Sequence, residues 1–540
     1  MLFNSYTFLF GFLPVVLIVF LALKLRSVRL ALTWLILSSI VFYAWWRPWN
    51  LLIIGPSLGV NFLIGRALLA VHGDKSRATL ARWLLGAGIL FNVCLLGYFK
   101  YANFTRSVLN DVAGTEFVLH SIVLPLGISF ITFQKIAFLI DVHGGRIKDF
   151  SFRDFCLFVL FFPQLIAGPI VHYREMMPQF HALPRRMDRE ALAVGLTLLA
   201  LGLFKKVIFA DGVAGHISPL YAGAAAGAEI TLIWAWIAAL GFTLQIYFDF
   251  SAYSDMAAGL ARCIGPKLPM NFFSPLKATN IIDFWARWHI TLTRFLTAYI
   301  YNPVTLWLTR RRAKSGKTLL NHRQPALIPF MKILAFPTLL TMYISGLWHG
   351  AAYLFVAWGL LHGLYLVVNH AWRLFAPRYL PKLTRSSGFH KSFGFLLTFV
   401  AVVVAMVLFK GPTPQAAGEV LRGLAGLNGL SLPGSVTDKL SSFGGLDIAT
   451  DTSSARDLIL AAAWVFGLSI IALLMPNSLQ LLARYQPVLE DIETVGRADG
   501  LMGRFFRWQP SFIWSLVIAC LVVMAIVNIG GPSEFLYWQF

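Results

Sequence analysis

The stretch Y-I-S-G-L-W-H-G-A-A-Y, residues 343–353, places an ionisable side chain, His349, between two long apolar runs. The runs lie near 328–347 and 351–371, and each has the length of a helix that crosses a bilayer, which needs roughly 20 apolar residues. An ionisable group at such a junction is costly and usually has a function or a partner. The sequence therefore predicts two membrane spans with a histidine where they meet.

The composition extends this prediction to the whole chain. Of 540 residues, 58% are hydrophobic and 13% charged, and the mean hydropathy is +0.71; soluble domains carry about 25% charged residues. We therefore predict an all-α polytopic membrane protein, with the lipid bilayer as its surroundings. The apolar runs lie near 7–23, 30–46, 51–70, 83–99, 119–140, 155–171, 193–210, 229–262, 284–308, 328–347, 351–371, 393–410, 457–476 and 510–530.

The formal net charge of +21 has a topological explanation. Basic residues gather in short loops, as they do on the cytoplasmic side of membrane proteins, so we predict no nucleic-acid partner. The four cysteines are scattered through apolar segments without CxxC spacing, which favours neither zinc nor disulfides. The loops predicted to be cytoplasmic are 72–82, 142–154, 172–190, 309–323 and 373–391, and those predicted to be external are 211–230 and 411–456.

Two apolar runs, 155–171 and 284–308, have cytoplasmic loops at both ends and are predicted to be re-entrant or interfacial. Two prolines and a glycine in F-F-P-Q-L-I-A-G-P, residues 161–169, also interrupt helical hydrogen bonding. About 12 crossings remain, which places both termini outside. We predict one transmembrane domain over 1–540, with N-terminal helices (1–118), a motif-bearing core (119–372) and C-terminal helices (373–540).

The stretch D-F-W-A-R-W-H-I-T-L-T-R-F, residues 283–295, carries charges in an apolar setting. On one helix, Asp283 and Arg287 would pair at a spacing of four residues, and Arg294 would follow the face of Arg287. His289 would share a different face with Trp285. This pattern also fits a purely structural amphipathic helix at the membrane interface.

His349 itself has two interpretations. Flanked by Gly346 and Gly350, which permit close approach of backbone or substrate, a neutral imidazole can act as a general base because its pKa is near 6.5. It can equally be a structural histidine bonded to a neighbouring carbonyl. His362, in G-L-L-H-G (359–363), is predicted to be structural. The spacing of these histidines does not fit a helical zinc site, so no metal is predicted.

Further polar residues lie within apolar segments. Q-I-Y-F-D-F-S-A-Y-S-D-M-A-A-G, residues 245–259, contains Asp249 and Asp255, and Tyr253 shares a helix face with Asp249. The carboxylates would pair with Arg287 or Arg294 across helices, or would relay protons in a transporter. P-L-G-I-S-F-I-T-F-Q-K, residues 125–135, ends on Gln134 and Lys135 and suits close helix packing.

Together these motifs resemble the membrane-bound O-acyltransferase superfamily. Residues 283–295 followed by G-L-W-H-G-A resemble its paired histidine motifs. The remaining matches resemble the alginate O-acetyltransferase branch, and they run through most of the chain. They are L-L-G-Y-F-K-Y-A-N-F (95–104), L-P-L-G-I-S-F-I-T-F-Q (124–134), F-F-P-Q-L-I-A-G-P-I (161–170), Y-F-D-F-S-A-Y-S-D-M-A (247–257) and the terminal F-L-Y-W-Q-F.

The resemblance implies an enzyme of the bacterial inner membrane that moves an acetyl group from a cytoplasmic thioester toward hydroxyls of an exported polysaccharide. It implies His349 as catalytic base or acyl carrier and His289 as the cytoplasm-side histidine. The donor would be acetyl-CoA or another acetyl thioester, with no bound cofactor. A periplasmic or membrane-anchored acetyltransferase would be the partner protein. The residues predicted to contact substrate are Arg287, Arg294, Trp348, Asp249, Tyr253 and Gln134.

The chain departs from this family pattern after the first histidine. Relatives continue with a sequence similar to R-D-Y-x-Y-I-P-L-G-G, whereas this chain reads T-A-Y-I-Y-N-P-V-T-L-W-L-T-R-R-R. The change lies on the predicted cytoplasmic side, so it concerns donor handling or partner docking, and it leaves the acceptor polymer open. Two other functions stay in competition: a proton-coupled transporter or flippase, and a scaffold that anchors a separate transferase.

Overall fold

The computed structural model describes residues 1–118, 120, 122–321, 323–380, 387–435, 437, 449–451, 454–492, 506–530 and 536. Nearly all regular structure in these residues is helical, which confirms the all-α prediction. The only strands described are Ser431–Pro433 and Ala449–Asp451, three residues each, which pair in parallel. The terminal F-L-Y-W-Q-F motif lies outside the described residues except for Leu536.

The described helices confirm a multi-pass membrane protein. Nine helical segments in the described ranges have the length and hydropathy of a membrane span, and Val28–Ala44 and Phe512–Val527 are shorter apolar helices. The prediction of about 12 crossings stays a prediction. The nine segments are Thr7–Arg26, Pro48–Ala70, Lys75–Ala113, Arg189–Ala225, Leu232–Ile264, Leu327–His349, Tyr353–Tyr379, Lys391–Lys410 and Ala455–Leu474.

The chain forms two compact units, and each unit is built from three separate segments of the sequence. The first unit comprises 1–204, 252–271 and 478–530, and the second comprises 205–251, 272–477 and 531–540. The helix Leu232–Ile264 contributes residues to both. The predicted division into one domain with boundaries at 118 and 372 stays a prediction.

The first unit contains the N-terminal spans and the re-entrant candidate. Its other α-helices are Leu13–Arg26, Val28–Ala44, Leu51–Ala70, Ala78–Leu96, Ala102–Ala113, Ile128–His143, Phe152–Leu160, Phe162–Leu165, Tyr173–His181, Arg189–Phe204, Ser478–Leu481 and Phe512–Val527. Two π-helical turns, Thr7–Phe12 and Gly97–Tyr101, continue into or out of these helices. The helices Arg189–Phe204 and Leu232–Ile264 approach closely at Gly195 and Gly259. A Cβ added to Gly195 would lie only 2.6 Å from the Gly259 carbonyl oxygen, which is too close for any residue larger than glycine.

The run 155–171 is broken, as its prolines and glycine predict. Its two helices, Phe152–Leu160 and Phe162–Leu165, contain nine and four residues, which is too short to cross a bilayer. The break is buried, and polar side chains form hydrogen bonds with the backbone groups that have no helical partner there. Ser39 Oγ accepts a hydrogen bond from the Phe162 N–H (3.1 Å), and Gln164 Nε2 donates one to the Phe158 carbonyl (2.7 Å).

The second unit carries both histidine motifs. Its helices lie at Asp211–Ala225, Ile281–Trp285, Ile290–Leu296, Asn302–Lys314, Leu327–Phe330, Phe336–His349, Tyr353–Tyr379, Ser387–Lys410, Pro414–Leu424 and Ala455–Leu474. Three π-helical turns interrupt or extend them: Lys205–Ala210, Thr297–Tyr301 and Met331–Ala335.

Candidate active site

The helices Phe336–His349 and Tyr353–Tyr379 form a tight hairpin around the opening motif. They meet backbone to backbone at two glycines. A Cβ on Gly346 would lie 2.3 Å from the Phe355 carbonyl oxygen, and one on Gly359 would lie 2.4 Å from that of Met342. Since only glycine permits this approach, the hairpin fixes the position of the side chains at its turn.

His349 is the last residue of its helix and is 4% exposed. Aromatic rings from three helices enclose it. The ring centroids of Trp348 and Trp358 both lie 4.9 Å from that of His349, and the centroid of Phe409 lies 5.3 Å away. We call these three rings, together with His349 and the neighbouring His289, the histidine enclosure.

His289 enters the histidine enclosure from the other motif. Its ring centroid lies 6.3 Å from that of His349 and 5.7 Å from that of Trp348. Phe250 contacts the ring edge-on at 4.7 Å, and the side chain is fully buried. Burial lowers the pKa of His289 to about 3, so the imidazole is neutral at physiological pH.

The local backbone explains how His289 reaches this position and corrects one prediction. The stretch 283–295 is not one helix: Ile281–Trp285 ends before His289, and Ile290–Leu296 begins after it. His289 has φ +43°, a left-handed conformation that is uncommon for a non-glycine residue and clusters at functional sites. The expectation that Trp285 and His289 share a helix face is therefore wrong.

The predicted ion pair within this stretch is present. Arg287 Nε lies 2.7 Å from Asp283 Oδ1, which confirms the ion pair predicted from the spacing of four residues. The Arg287 carbonyl accepts a hydrogen bond from the Phe273 N–H (2.9 Å), which holds the backbone next to the break. Arg294, in the helix after His289, is half-buried.

His362 lies beside the histidine enclosure, on the same face of the helix Tyr353–Tyr379 as Trp358. It is fully buried between Trp358, Trp285 and Tyr365, with ring centroids 4.8, 5.3 and 5.7 Å away. Neither of its ring nitrogens has a hydrogen-bond partner among the described residues. The contacts of Trp285 and Trp358 with His362 were not predicted from the sequence, although the spacing of four residues between Trp358 and His362 was a usable signal.

Asp249 is part of a buried charge cluster in the second unit. Its Oδ1 lies 2.8 Å from Lys206 Nζ, and both side chains are 2% exposed. Lys206 also lies 2.7 Å from Asp211, and the Leu536 N–H donates to Asp249 Oδ2 at 3.1 Å. The expectation that Asp249 pairs with Arg287 or Arg294 is wrong, because its charged partner is Lys206.

The remaining predicted residues belong to the first unit. Tyr253 is buried, with its ring stacked on Phe3 at 4.8 Å, and Gln134 is buried in the helix Ile128–His143. The rings that contact His289 and His349, which are Phe250, Trp348, Trp358 and Phe409, belong to the second unit. Across the described residues, no three His, Cys, Asp or Glu side chains converge as metal ligands.

The described residues form a helical membrane protein in which His289 and His349 lie close together, and comparison with known proteins identifies its family. The membrane-bound O-acyltransferase family model matches residues 84–321. The chain is 37% identical to a peptidoglycan O-acetyltransferase of Helicobacter pylori, over 80% of this chain and 81% of that protein. The chain belongs to the membrane-bound O-acyltransferase family.

Two further relatives agree with the alginate O-acetyltransferase resemblance. A probable alginate O-acetylase of Pseudomonas aeruginosa is 37% identical over 78% of this chain and 75% of its own length. Another from Pseudomonas putida is 32% identical over the full length of both proteins. The chain is thus an O-acyltransferase, and these relatives support a membrane O-acetyltransferase that uses an acyl donor.

Proposed function

We propose that the protein transfers an acetyl group from a thioester donor to hydroxyls of an exported polysaccharide, with His349 at the reacting atoms. The observation that carries this proposal is the meeting of His289 and His349. Sixty residues apart in the sequence, they are buried in one aromatic enclosure with their ring centroids 6.3 Å apart. Burying two ionisable rings next to each other is costly, which favours a chemical role over packing alone.

In the proposed reaction, the imidazole of His349 accepts one proton and later returns it. His349 takes the proton of the attacking hydroxyl, the oxygen bonds to the thioester carbonyl carbon, and the carbon–sulfur bond breaks. The thiolate leaves and receives the proton that His349 holds. In the two-step variant, a His349 nitrogen bonds to the carbonyl carbon, the carbon–sulfur bond breaks, and the thiolate leaves with the imidazole proton. The hydroxyl oxygen then bonds to the acetyl carbon, the carbon–nitrogen bond breaks, and the hydroxyl proton passes to the imidazole.

His289 acts in this proposal as a neutral polar group. Because its pKa is lowered to about 3, it does not supply a positive charge at physiological pH. A neutral imidazole still donates one hydrogen bond and accepts another. Its strained left-handed backbone holds the ring in the histidine enclosure, where it would orient the donor carbonyl or the His349 ring.

The donor is proposed to enter from the cytoplasm as acetyl-CoA or another acetyl thioester. Arg287 and Arg294 flank His289 and suit the phosphates or the polar pantetheine groups of such a donor. Among the other predicted contacts, Trp348 lies against both histidines, and Asp249, Tyr253 and Gln134 stay predictions as substrate contacts. The charge pattern of the loops supports an inner-membrane location with both termini periplasmic.

The acceptor is proposed as a polymer outside the membrane, reached through a periplasmic or membrane-anchored acetyltransferase. The relatives named above are a peptidoglycan O-acetyltransferase and probable alginate O-acetylases. Their names indicate that related proteins act on polymers of different chemistry. A transporter would use Asp249, Asp255 and the histidines as a proton path. The ion pair with Lys206 gives Asp249, one member of that path, a structural role instead.

The test is chemical. Ester-linked acetate is measured on each purified surface polysaccharide of cells that carry the wild-type chain, His349→Ala, or the matched control His216→Ala, all present in the membrane at equal levels. His216 is a half-buried histidine of the second unit that contacts Trp464. We expect His349→Ala to lower acetylation at least about 100-fold, the usual contribution of general acid–base catalysis, and His216→Ala to leave it unchanged. Wild-type acetylation by His349→Ala would overturn the proposal.

A further inference from the structure

The first unit contains a cavity of about 220 Å³ that the acyl-transfer proposal does not use. Apolar residues such as Leu21 and Leu183 form much of its wall. The charged side chains that line it are Lys24, Arg262 and Asp188. Two cations and one carboxylate give the cavity a net charge of +1, which favours an anionic occupant.

Lys24 is the residue that makes this cavity unusual. It is 3% exposed, yet within the described ranges its ammonium group makes no hydrogen bond and has no carboxylate within 4.0 Å. The ring of Phe20 lies 5.7 Å from its ammonium group, and Asp188, in the wall of the same cavity, interacts with that group electrostatically from beyond 4.0 Å. Asp188 is shared with Arg262 and is half-exposed, so it offsets the buried charge of Lys24 only in part, and an anion in the open space beside Lys24 would be stabilised.

Arg262 adds a second cation with spare donors. One of its terminal nitrogens donates to the Gly265 carbonyl at 3.1 Å, and the other lies 4.0 Å from Asp188 Oδ2. Its Nε is buried and has no hydrogen-bond partner among the described residues.

Asp188 only partly offsets these charges. Its Oδ1 accepts the Ala191 N–H at 3.0 Å and caps the helix Arg189–Phe204. Its side chain is 51% exposed, so water screens it more than it screens Lys24.

We propose that this cavity binds a phosphate group, held by Lys24 and Arg262. A planar guanidinium and a point-charge ammonium are the common protein ligands of phosphate oxygens. The apolar wall suits an esterified phosphate, and the cavity is larger than a phosphate alone. The phosphate is either free in the cytoplasm or part of a lipid headgroup, because Lys24 lies in the last turn of the apolar helix Leu13–Arg26, two residues before the exposed Arg26.

The first experiment uses the full-length protein in nanodiscs of zwitterionic phosphatidylcholine and measures binding of radiolabelled inorganic phosphate. Lys24→Gln and Arg262→Gln are compared with Arg26→Gln, which removes the same charge from the exposed neighbour. Since a hydrogen bond to a charged group contributes about 1.5–3 kcal/mol, each cavity variant should bind phosphate about tenfold more weakly or worse. Arg26→Gln should bind as the wild type does.

The second experiment identifies a lipid source. The protein is purified from membranes that contain phosphatidylglycerol, and native mass spectrometry counts the lipids that stay bound. Loss of one phosphatidylglycerol in Lys24→Gln but not in Arg26→Gln supports the lipid phosphate as occupant, and saturable inorganic phosphate binding that only the cavity variants weaken supports the free anion. The proposal is wrong if Lys24→Gln changes neither readout. Lys24→Arg, which keeps the charge, should retain binding and covers the case in which Lys24→Gln fails to fold.

Discussion

Replacing Gly346 by alanine should displace His349 without removing any group of the histidine enclosure. The added Cβ would lie 2.3 Å from the Phe355 carbonyl oxygen, about 1 Å inside the 3.4 Å at which ordinary van der Waals contact begins. Backbone atoms on both sides cannot rotate away as a side chain does, so the hairpin helices must separate by about that amount. Overpacking of this kind costs about 1–3 kcal/mol of stability.

The larger effect is expected on acetyl transfer. His349 lies three residues after Gly346, and Trp358, which contacts its ring, directly precedes Gly359 on the facing helix. A misplacement of about 1 Å at reacting groups can lower a rate by about 100-fold. We therefore expect Gly346→Ala to lower polysaccharide acetylation by about two orders of magnitude while the protein still inserts into the membrane.

Two further Gly→Ala variants calibrate this result. Gly467 lies in the helix Ala455–Leu474 with nothing within 4 Å of an added Cβ, so Gly467→Ala should be neutral or stabilising by about 1 kcal/mol. Gly363 would place its Cβ 3.1 Å from Met342 Cβ, and its alanine variant should lie between the other two. Acetylation and thermal unfolding in detergent are measured for all three. Equal activity of Gly346→Ala and Gly467→Ala would refute the reasoning.

Three other outcomes are expected. Lys206→Met should destabilise the protein by about 3–5 kcal/mol in thermal unfolding, because it leaves Asp249 buried without its charged partner. Adding Asp249→Leu should restore much of the lost stability. If the double variant is no more stable than Lys206→Met, the cost is not mainly electrostatic. His289→Ala should lower acetylation while Arg287→Ala changes mainly the apparent affinity for the thioester, and the reverse pattern would contradict their proposed roles. Because the pKa of His289 is lowered to about 3 from 6.5, the unfolded state gains a proton first as the pH falls. Stability should therefore decline below about pH 6.5, by up to about 1.4 kcal/mol per pH unit, and His289→Asn should flatten that decline.

Local patterns in the sequence predicted the features that depend on local spacing. The Asp283–Arg287 pair follows from four residues on one helical turn, and the break in 155–171 follows from proline and glycine chemistry. The two spans around His349 follow from their apolar length. Each of these features is decided within a few turns of the chain.

Features that depend on distant parts of the chain were not predictable in the same way. The left-handed backbone of His289 accompanies its contacts with Phe250 and Trp348, and the helical spacing of the surrounding residues did not indicate it. Lys206, within an apolar run, gave no sign that it would pair with Asp249 43 residues later. Periodicity indicates which residues lie on one helix, but it does not indicate which other helix they meet.

The interleaving of the two units has a consequence for how the protein is made. The first unit takes residues 1–204 from the start of synthesis but also 252–271 and 478–530, so the ribosome delivers its last piece only near the end. The helix Phe512–Val527 packs against Arg189–Phe204 within that unit, so this earlier helix waits for its neighbour through some 300 residues of translation. During that interval its packing surface faces lipid or a chaperone. A stop codon late in the reading frame would therefore damage the part of the protein that was inserted first.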